Sequence, residues 1–400
     1  MKIAILGVDG NSNKRGGYQY SLSVVHALLN NNLFDHEYYI SQNSFDGLPN
    51  DTIKEKSTFL LQDEAPFVKI LKKMAIILNL KYPFSMYKAI HEMNPDLLVI
   101  PKTAGLAGCY LKVPYITCIH DIMHKYYPNF PENLYMEKIR RDYVYKKAAK
   151  YSLITIVDSE QGKEDLNKFY QIDKKKIRVI PFIPPPYVFS YKDMSPETAE
   201  KLISKFNLPN RYIFYPAQFW FHKNHARLLK ALYLIKREYR EKISLVLVGA
   251  DKGHLNKVVS LADDLGIKDQ IYYMGYVGNR EVIALYKKAI ALIFPSLYGP
   301  TNIPILEAMV LGTPIACSNL FAMPDQVDGA GILFDPFNEE DIAEKIYKIW
   351  RDGNLRKRLI EEGYEKSVDV TIENFANKWN EVTDEAKKII KINPRKQFKE

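Results

Sequence analysis

Cysteine is nearly absent: three among 400 residues, at 109, 118 and 317. An odd, scattered trio supplies neither a disulfide framework nor a metal-ligand spacing, and the expected setting is a reducing cytoplasm. Also missing is any apolar run near the roughly 20 residues that a membrane-spanning helix needs. The opening MKIAILGVDG carries one lysine and a short apolar run that meets Asp9. That is too short for a secretory signal and reads as a first strand. There is no internal repeat, no low-complexity tract and no DxD-type acidic pair at a strand end. Acid is in deficit too, with a formal net charge of +9. The excess suits phosphate groups, nucleic acid or an acidic membrane face, and does not choose among them.

What is present is an ordinary apolar fraction, 47%, in a chain long enough for two domains. Short β-type runs alternate with helical ones. KIAILGV (2–8), EYYIS (37–41), TFLLQ (58–62), DLLVI (96–100), YITCIH (115–120), LITIVDS (153–159) and IRVIPF (177–182) read as strands of the first half. After IPPPYVFSYKDMSPE the rhythm restarts with YIFYPAQ (212–218), SLVLVGA (244–250), IYYMG (271–275), ALIFPS (291–296), PIACS (314–318) and ILFDP (332–336). Apolar strands separated by helices indicate βαβ units and parallel sheets covered on both faces. The expected organisation is two doubly wound α/β domains, 1–183 and 198–370. Residues 184–197 read as a linker, because three consecutive prolines fit no helix interior. A helix and basic tail occupy 371–400 and cross back. In such sheets ligands bind beyond the carboxyl ends of the strands, so motifs there carry the functional signal.

Four strand ends stand out. Gly16 and Gly17 open a helix after the first strand, where bare backbone and free N–H groups suit an anion. His120-Asp121 follows 115–120. His222, Lys223, Asn224 and His225 follow 212–218, where a cation meets the unfavourable end of a helix dipole unless an anion sits among the three basic groups. FPSLYGPTNIPILEAMVLG (294–312) ends a strand and starts a helix. Asn302 is placed to cap it, Pro304 fits its first turn, and the amides near 301–305 form a second anion site. Glu307 lies about one turn in. LVLVGADKGH with Gly249 and MGYVGNR with Tyr276 also lie at strand ends and can line a nucleotide.

In order along the chain, these motifs resemble the retaining GT-B glycosyltransferases of family 4. The series comprises the GG loop, HD, DSEQGKEDL, IRVIPF, the KN helix, LVLVG, the FPS strand, LEAMVLGTPIACS and GILFDP. The resemblance implies two Rossmann-like domains facing across a cleft. The first would bind an acceptor and the second a nucleotide-diphosphate sugar. It implies that Lys223 binds the diphosphate, that Gly16-Gly17 back the phosphates, that His120 contacts the donor hexose and that Glu307 holds the ribose. Asn224, Gly249, Tyr276, Thr301, Asn302 and Ile303 join the donor site. Two positions depart from the family pattern. Gly299 stands where the acid eight residues before Glu307 is usual, and Gln218 where an arginine is usual. The form GPTNIPILEA resembles a branch linked to surface polysaccharide assembly.

The expected activity is therefore transfer of a hexose from a GDP- or UDP-sugar to a saccharide or polyprenyl-linked saccharide, with Lys223, Glu307 and His120 as catalytic candidates. The leaving diphosphate takes the acceptor's proton, so no metal or cofactor is expected, and no nucleic acid. A nucleotide-sugar-binding protein without transfer activity and a GT-B-fold epimerase are the alternatives. Residues 65–91 carry five lysines, no acid, and an apolar face at 67–78. With the basic run 138–150 they suggest a cytoplasmic protein that docks on an anionic inner membrane face.

Overall fold

The computed structural model describes residues 1–8, 16–30, 36–42, 58–59, 90, 92–101 and 111–392. The chain divides into two compact units. One comprises Met1–Asn129, Asn133–Pro181 and Ile372–Glu400, the other Phe130–Glu132 and Phe182–Thr371.

Among the described residues the first unit holds seven parallel strands. They are β1 (Lys2–Val8), β2 (Glu37–Gln42), β3 (Thr58–Phe59), β4 (Leu97–Ile100), β5 (Tyr115–Cys118), β6 (Ile154–Val157) and β7 (Ile177–Val179). Their order is β3-β2-β1-β4-β5-β6-β7. β4, β5 and β6 are buried at every position, which is why they read as unbroken apolar runs rather than alternating ones. The order reverses at β1, whose chain leads toward the Gly16–Asn30 helix. The last helix, Ile372–Ile392, packs on that helix, with the Phe375 ring 6.1 Å from Tyr20 and Trp379 fully buried. Arg178 on β7 clasps Glu385 of the same helix. The terminal helix thus returns to the first unit, as expected.

The second unit holds six parallel strands. They are β8 (Ile213–Pro216), β9 (Leu245–Val248), β10 (Ile271–Tyr273), β11 (Ala291–Phe294), β12 (Ile315–Ser318) and β13 (Ile332–Phe334). Their order is β10-β9-β8-β11-β12-β13. Here the reversal falls between β8 and β11, which pair directly, Ala291 opposite Ile213. The loops leaving these two strands therefore start side by side, although about 80 residues separate them in sequence.

Residues 184–197 differ from the expected linker. Pro186 opens the Pro186–Tyr191 helix, at a position where a missing N–H costs nothing, and Val188 is buried in the second unit's core. The triple proline excludes a helix interior but not a helix start. A second short helix, Pro196–Ile203, begins the same way, capped by Ser195. The basic stretch 65–91 lies outside the described residues, apart from Ile90.

Candidate functional site

Lys223 does not stand in the first turn of a helix. It ends a 3-10 turn, Phe221–Lys223, and the helix begins at His225. Asn224 between them takes a left-handed backbone (φ 59°), which asparagine tolerates better than most residues. Its side-chain amide donates to the carbonyls of Pro295 (3.0 Å) and Pro336 (2.9 Å). Asn224 is thus a clamp between the β8 loop and the ends of β11 and β13. Tyr215 on β8 donates to the Lys223 carbonyl at 2.8 Å. Held this way, the Lys223 ammonium lies 5.2 Å from the Phe294 ring and 3.5 Å from Ser296 Oγ, at the carboxyl end of β11.

The cluster of three basic groups read from the sequence does not survive folding. His225 is buried and stacked on Phe219 at 4.4 Å. Burial, with Lys223 nearby, pushes its pKa down to about 3, so it is neutral. His222 engages a carboxylate: Glu132 Oε1 accepts from His222 N and bonds Nδ1, both at 3.0 Å. Burial works to raise the Glu132 carboxyl, yet the His222 contacts hold it below the usual range.

The 294–312 segment is braced from both ends. Leu297 N donates to the His222 carbonyl at 2.8 Å, and Ser296 Oγ donates to the Tyr298 carbonyl at 2.7 Å. Gln326 brackets Asn302, accepting from its N–H (3.1 Å) and donating to its carbonyl (2.8 Å). The Asn302 side chain does not cap the Ile303–Leu311 helix, contrary to expectation. It lies against Gly299, with Nδ2 3.5 Å from that residue's carbonyl. A Cβ at 299 would stand 2.2 Å from Asn302 Oδ1. Gly299 is therefore the room in which the Asn302 amide sits, and an acid there requires Asn302 to move. Thr301 and Ile303 are half-buried beside it.

Glu307 is buried and held by two tyrosines. Tyr286 donates to Oε2 at 2.7 Å and Tyr187 to Oε1 at 3.4 Å. Burial raises its pKa, and the two hydroxyls offset part of that rise. Neither tyrosine is legible as a site residue. Tyr187 falls in the segment taken for a linker, and Tyr286 sits inside an ordinary amphipathic helix, Asn279–Lys288. Gln326, in a five-residue helix, gives no sequence signal either.

Along the neighbouring strand ends, Gln218 Oε1 accepts from Trp220 Nε1 at 3.0 Å. A Cβ at Gly249 would lie 2.2 Å from the Ala217 carbonyl oxygen, so β8 and β9 approach too closely there for any side chain. Tyr276, beyond β10, is exposed. In the first unit, His120 follows β5 with its ring 4.4 Å from Tyr20, and burial pushes its pKa down to about 3. Among the described residues, a Cβ at Gly17 would meet no atom within 4 Å. Residues 9–15, which lead to Gly16, lie outside the described residues. Among the described residues no group of three or more His, Cys, Asp or Glu could hold a metal ion.

Residues 197–366 match the family described as Glycosyl transferases group 1, and residues 43–182 match Glycosyltransferase Family 4. The chain is 30% identical over 186 residues to O-antigen chain mannosyltransferase B of Escherichia coli, covering 46% of this chain and 49% of that protein. The chain spans between 23% and 59% of the length of the first curated relatives it matches. Its fold is similar to that of sucrose-phosphate synthase from Thermosynechococcus elongatus, with a TM-score of 0.76, 18% identity and coverage of 97% of this chain and 99% of that one. It is also similar to Anabaena HepE in complex with UDP-glucose, with a TM-score of 0.71, 16% identity and coverage of 96% and 100%.

Proposed function

The chain belongs to the group 1, family 4 glycosyltransferases, and on that premise we propose that it transfers a hexose, with retention at the anomeric carbon, from a GDP- or UDP-sugar to a saccharide or lipid-linked saccharide in cell-surface polysaccharide synthesis. The observation that carries the reading is the meeting, at the paired strands β8 and β11, of a clamped lysine and a helix start whose side-chain cap is absent. A cation beside a helix start that lacks a side-chain cap suits a diphosphate. The E. coli relative's name supports a mannosyl donor, and the HepE complex supports a nucleotide-sugar.

In this reading Lys223 and the start of the Ile303–Leu311 helix hold the diphosphate, with the Asn302 and Ile305 N–H groups already engaged by Gln326 and the Asn302 carbonyl, and Asn224 positions Lys223. Glu307 accepts from the ribose hydroxyls, while Gln218, Gly249 and Tyr276 border the nucleotide. His120, neutral, offers a hydrogen bond to a sugar hydroxyl, and Gly16-Gly17 back the phosphates. As the bond from C1 to the diphosphate oxygen breaks, negative charge grows on the leaving group. The acceptor oxygen bonds C1 on the same face and passes its proton to that diphosphate. Fixed donors aimed at the growing charge lower the barrier without a protein base or metal. Incubating the protein with GDP-mannose or UDP-glucose and a saccharide acceptor, with mass spectrometry of the products, tests this. A product heavier than the acceptor by one hexose is expected. A changed sugar still on its nucleotide would mean epimerisation, and binding without product would mean no transferase.

We further propose reversible docking on an anionic membrane. No described helix is long and apolar enough to cross one. The helix Tyr135–Tyr151 instead exposes an apolar stripe at its start: Leu134 and Tyr135 are each 71% exposed and Met136 66%, continued by Ile139 and Tyr143. Lys138, Lys146, Lys147 and Lys150 share that helix, whose Arg140 is paired with Glu137. Apolar side chains near basic ones suit the boundary of an acidic headgroup layer. Co-sedimentation with phosphatidylglycerol vesicles should fall with added salt and with Leu134→Ser, Met136→Ser and Ile139→Ser combined. Equal recovery with neutral vesicles would refute it.

A further inference from the structure

Position 299 offers no carboxylate, but one is tied through His222 to Leu297 of the same segment. Glu132, in the short segment Phe130–Glu132 that belongs to the second unit, has a side chain only 10% exposed. Its Oε1 is pinned by the His222 N–H and by the His222 ring at 3.0 Å each. The Phe130 ring meets Phe221 edge-on at 5.0 Å, which steadies the same segment. Its second oxygen, Oε2, is buried and has no hydrogen-bond partner.

A buried acceptor left without a donor is destabilising, so its retention calls for a donor that arrives later. The place of this one is specific. His222 immediately precedes Lys223, and its carbonyl receives Leu297 N at the head of the 294–312 segment. Glu132 therefore sits one hydrogen bond from the turn that carries Lys223. A phosphate ionised at neutral pH has no proton to give a carboxylate and repels it, whereas a sugar hydroxyl donates readily. Because Oε1 is held by two contacts, Oε2 is oriented before any ligand binds.

We propose that Glu132 is a sugar-contacting residue: its Oε2 accepts from a hydroxyl of the donor hexose, the role left open by Gly299. This rests on the nucleotide-sugar reading above. Glu132→Gln tests it without undoing the turn. The glutamine Oε1 still accepts from His222 N–H, which pins the amide's orientation, and its NH2 replaces the accepting Oε2. Calorimetric affinities of both proteins for free GDP and UDP, and for GDP-mannose and UDP-glucose, supply the measurement. The expected result is unchanged affinity for the free nucleotide and at least about a tenfold loss for the nucleotide-sugar, as for a hydrogen bond to a charged group. An equal loss for both ligands would make Glu132 a brace for Lys223 or a base contact, and no loss for either would make it idle. Each result overturns the assignment. Wild-type protein that binds none of the four would defeat the nucleotide-sugar reading itself, a failure visible before the variant is examined. If Glu132→Gln melts early, Glu132→Asp, which keeps the charge and shortens the reach, reads the same split.

Discussion

Lys223→Ala is expected to lower kcat/KM by at least about tenfold, roughly 1.4 kcal/mol or more of lost transition-state stabilisation. The loss should fall on kcat as well as on affinity, because charge on the leaving diphosphate grows as the sugar–phosphate bond stretches. The surroundings make the variant clean. The Lys223 backbone is held by Tyr215 and the following clamp Asn224, neither of which uses the lysine side chain. The turn should therefore survive truncation. Steady-state kinetics with a nucleotide-sugar, beside calorimetry with free nucleotide, give the readout. If rate and nucleotide affinity both match wild type, Lys223 does not meet the diphosphate.

Glu307→Gln is expected to weaken binding of the free nucleotide about tenfold, the order of one lost hydrogen bond to a charged group. The carboxylate already accepts from Tyr286 and Tyr187, yet two carboxylate oxygens have room for further donors. The pH dependence gives a second signature. Burial raises the Glu307 pKa, so as pH falls this acid protonates earlier than an ordinary glutamate. Wild-type nucleotide affinity should then decline with falling pH from above the usual carboxylate range, while Glu307→Gln stays flat through it. The sign for stability is the opposite one. A raised folded-state pKa favours the fold at low pH, and that contribution is lost as pH rises through the raised value. A variant that binds free nucleotide normally but cannot transfer would place Glu307 at the sugar instead.

The chain's periodicity alone marks where the strands of both sheets lie. Each of the thirteen strands among the described residues overlaps an apolar run that alternation with helices had marked, from KIAILGV to ILFDP, with β2 reaching one residue beyond its run. The reason is local: a strand covered on both faces must be apolar throughout, and a helix must repeat near every fourth residue. The same logic locates Lys223 and the 294–312 segment, since both stand where an apolar run stops. Residues 184–197 mislead for an equally local reason, because proline at a helix start and proline in a linker look alike in sequence.

Only the tertiary structure decides which side chains these strand ends bring together. Adjacency of β8 and β11 puts Lys223 beside Ser296 across 73 positions. Glu307 meets Tyr187 across 120 positions, and His222 meets Glu132 across 90. No short-range pattern encodes such pairs, since each partner satisfies its own element's periodicity whether or not the other exists. Folding also changes the chemistry of residues already legible. His225, a basic candidate by type, turns neutral because burial disfavours its charged form. Gly299, a missing acid by comparison with a family pattern, proves to be space filled by the Asn302 amide. Residue type is set by the sequence, but charge state and free volume depend on what packs around the residue.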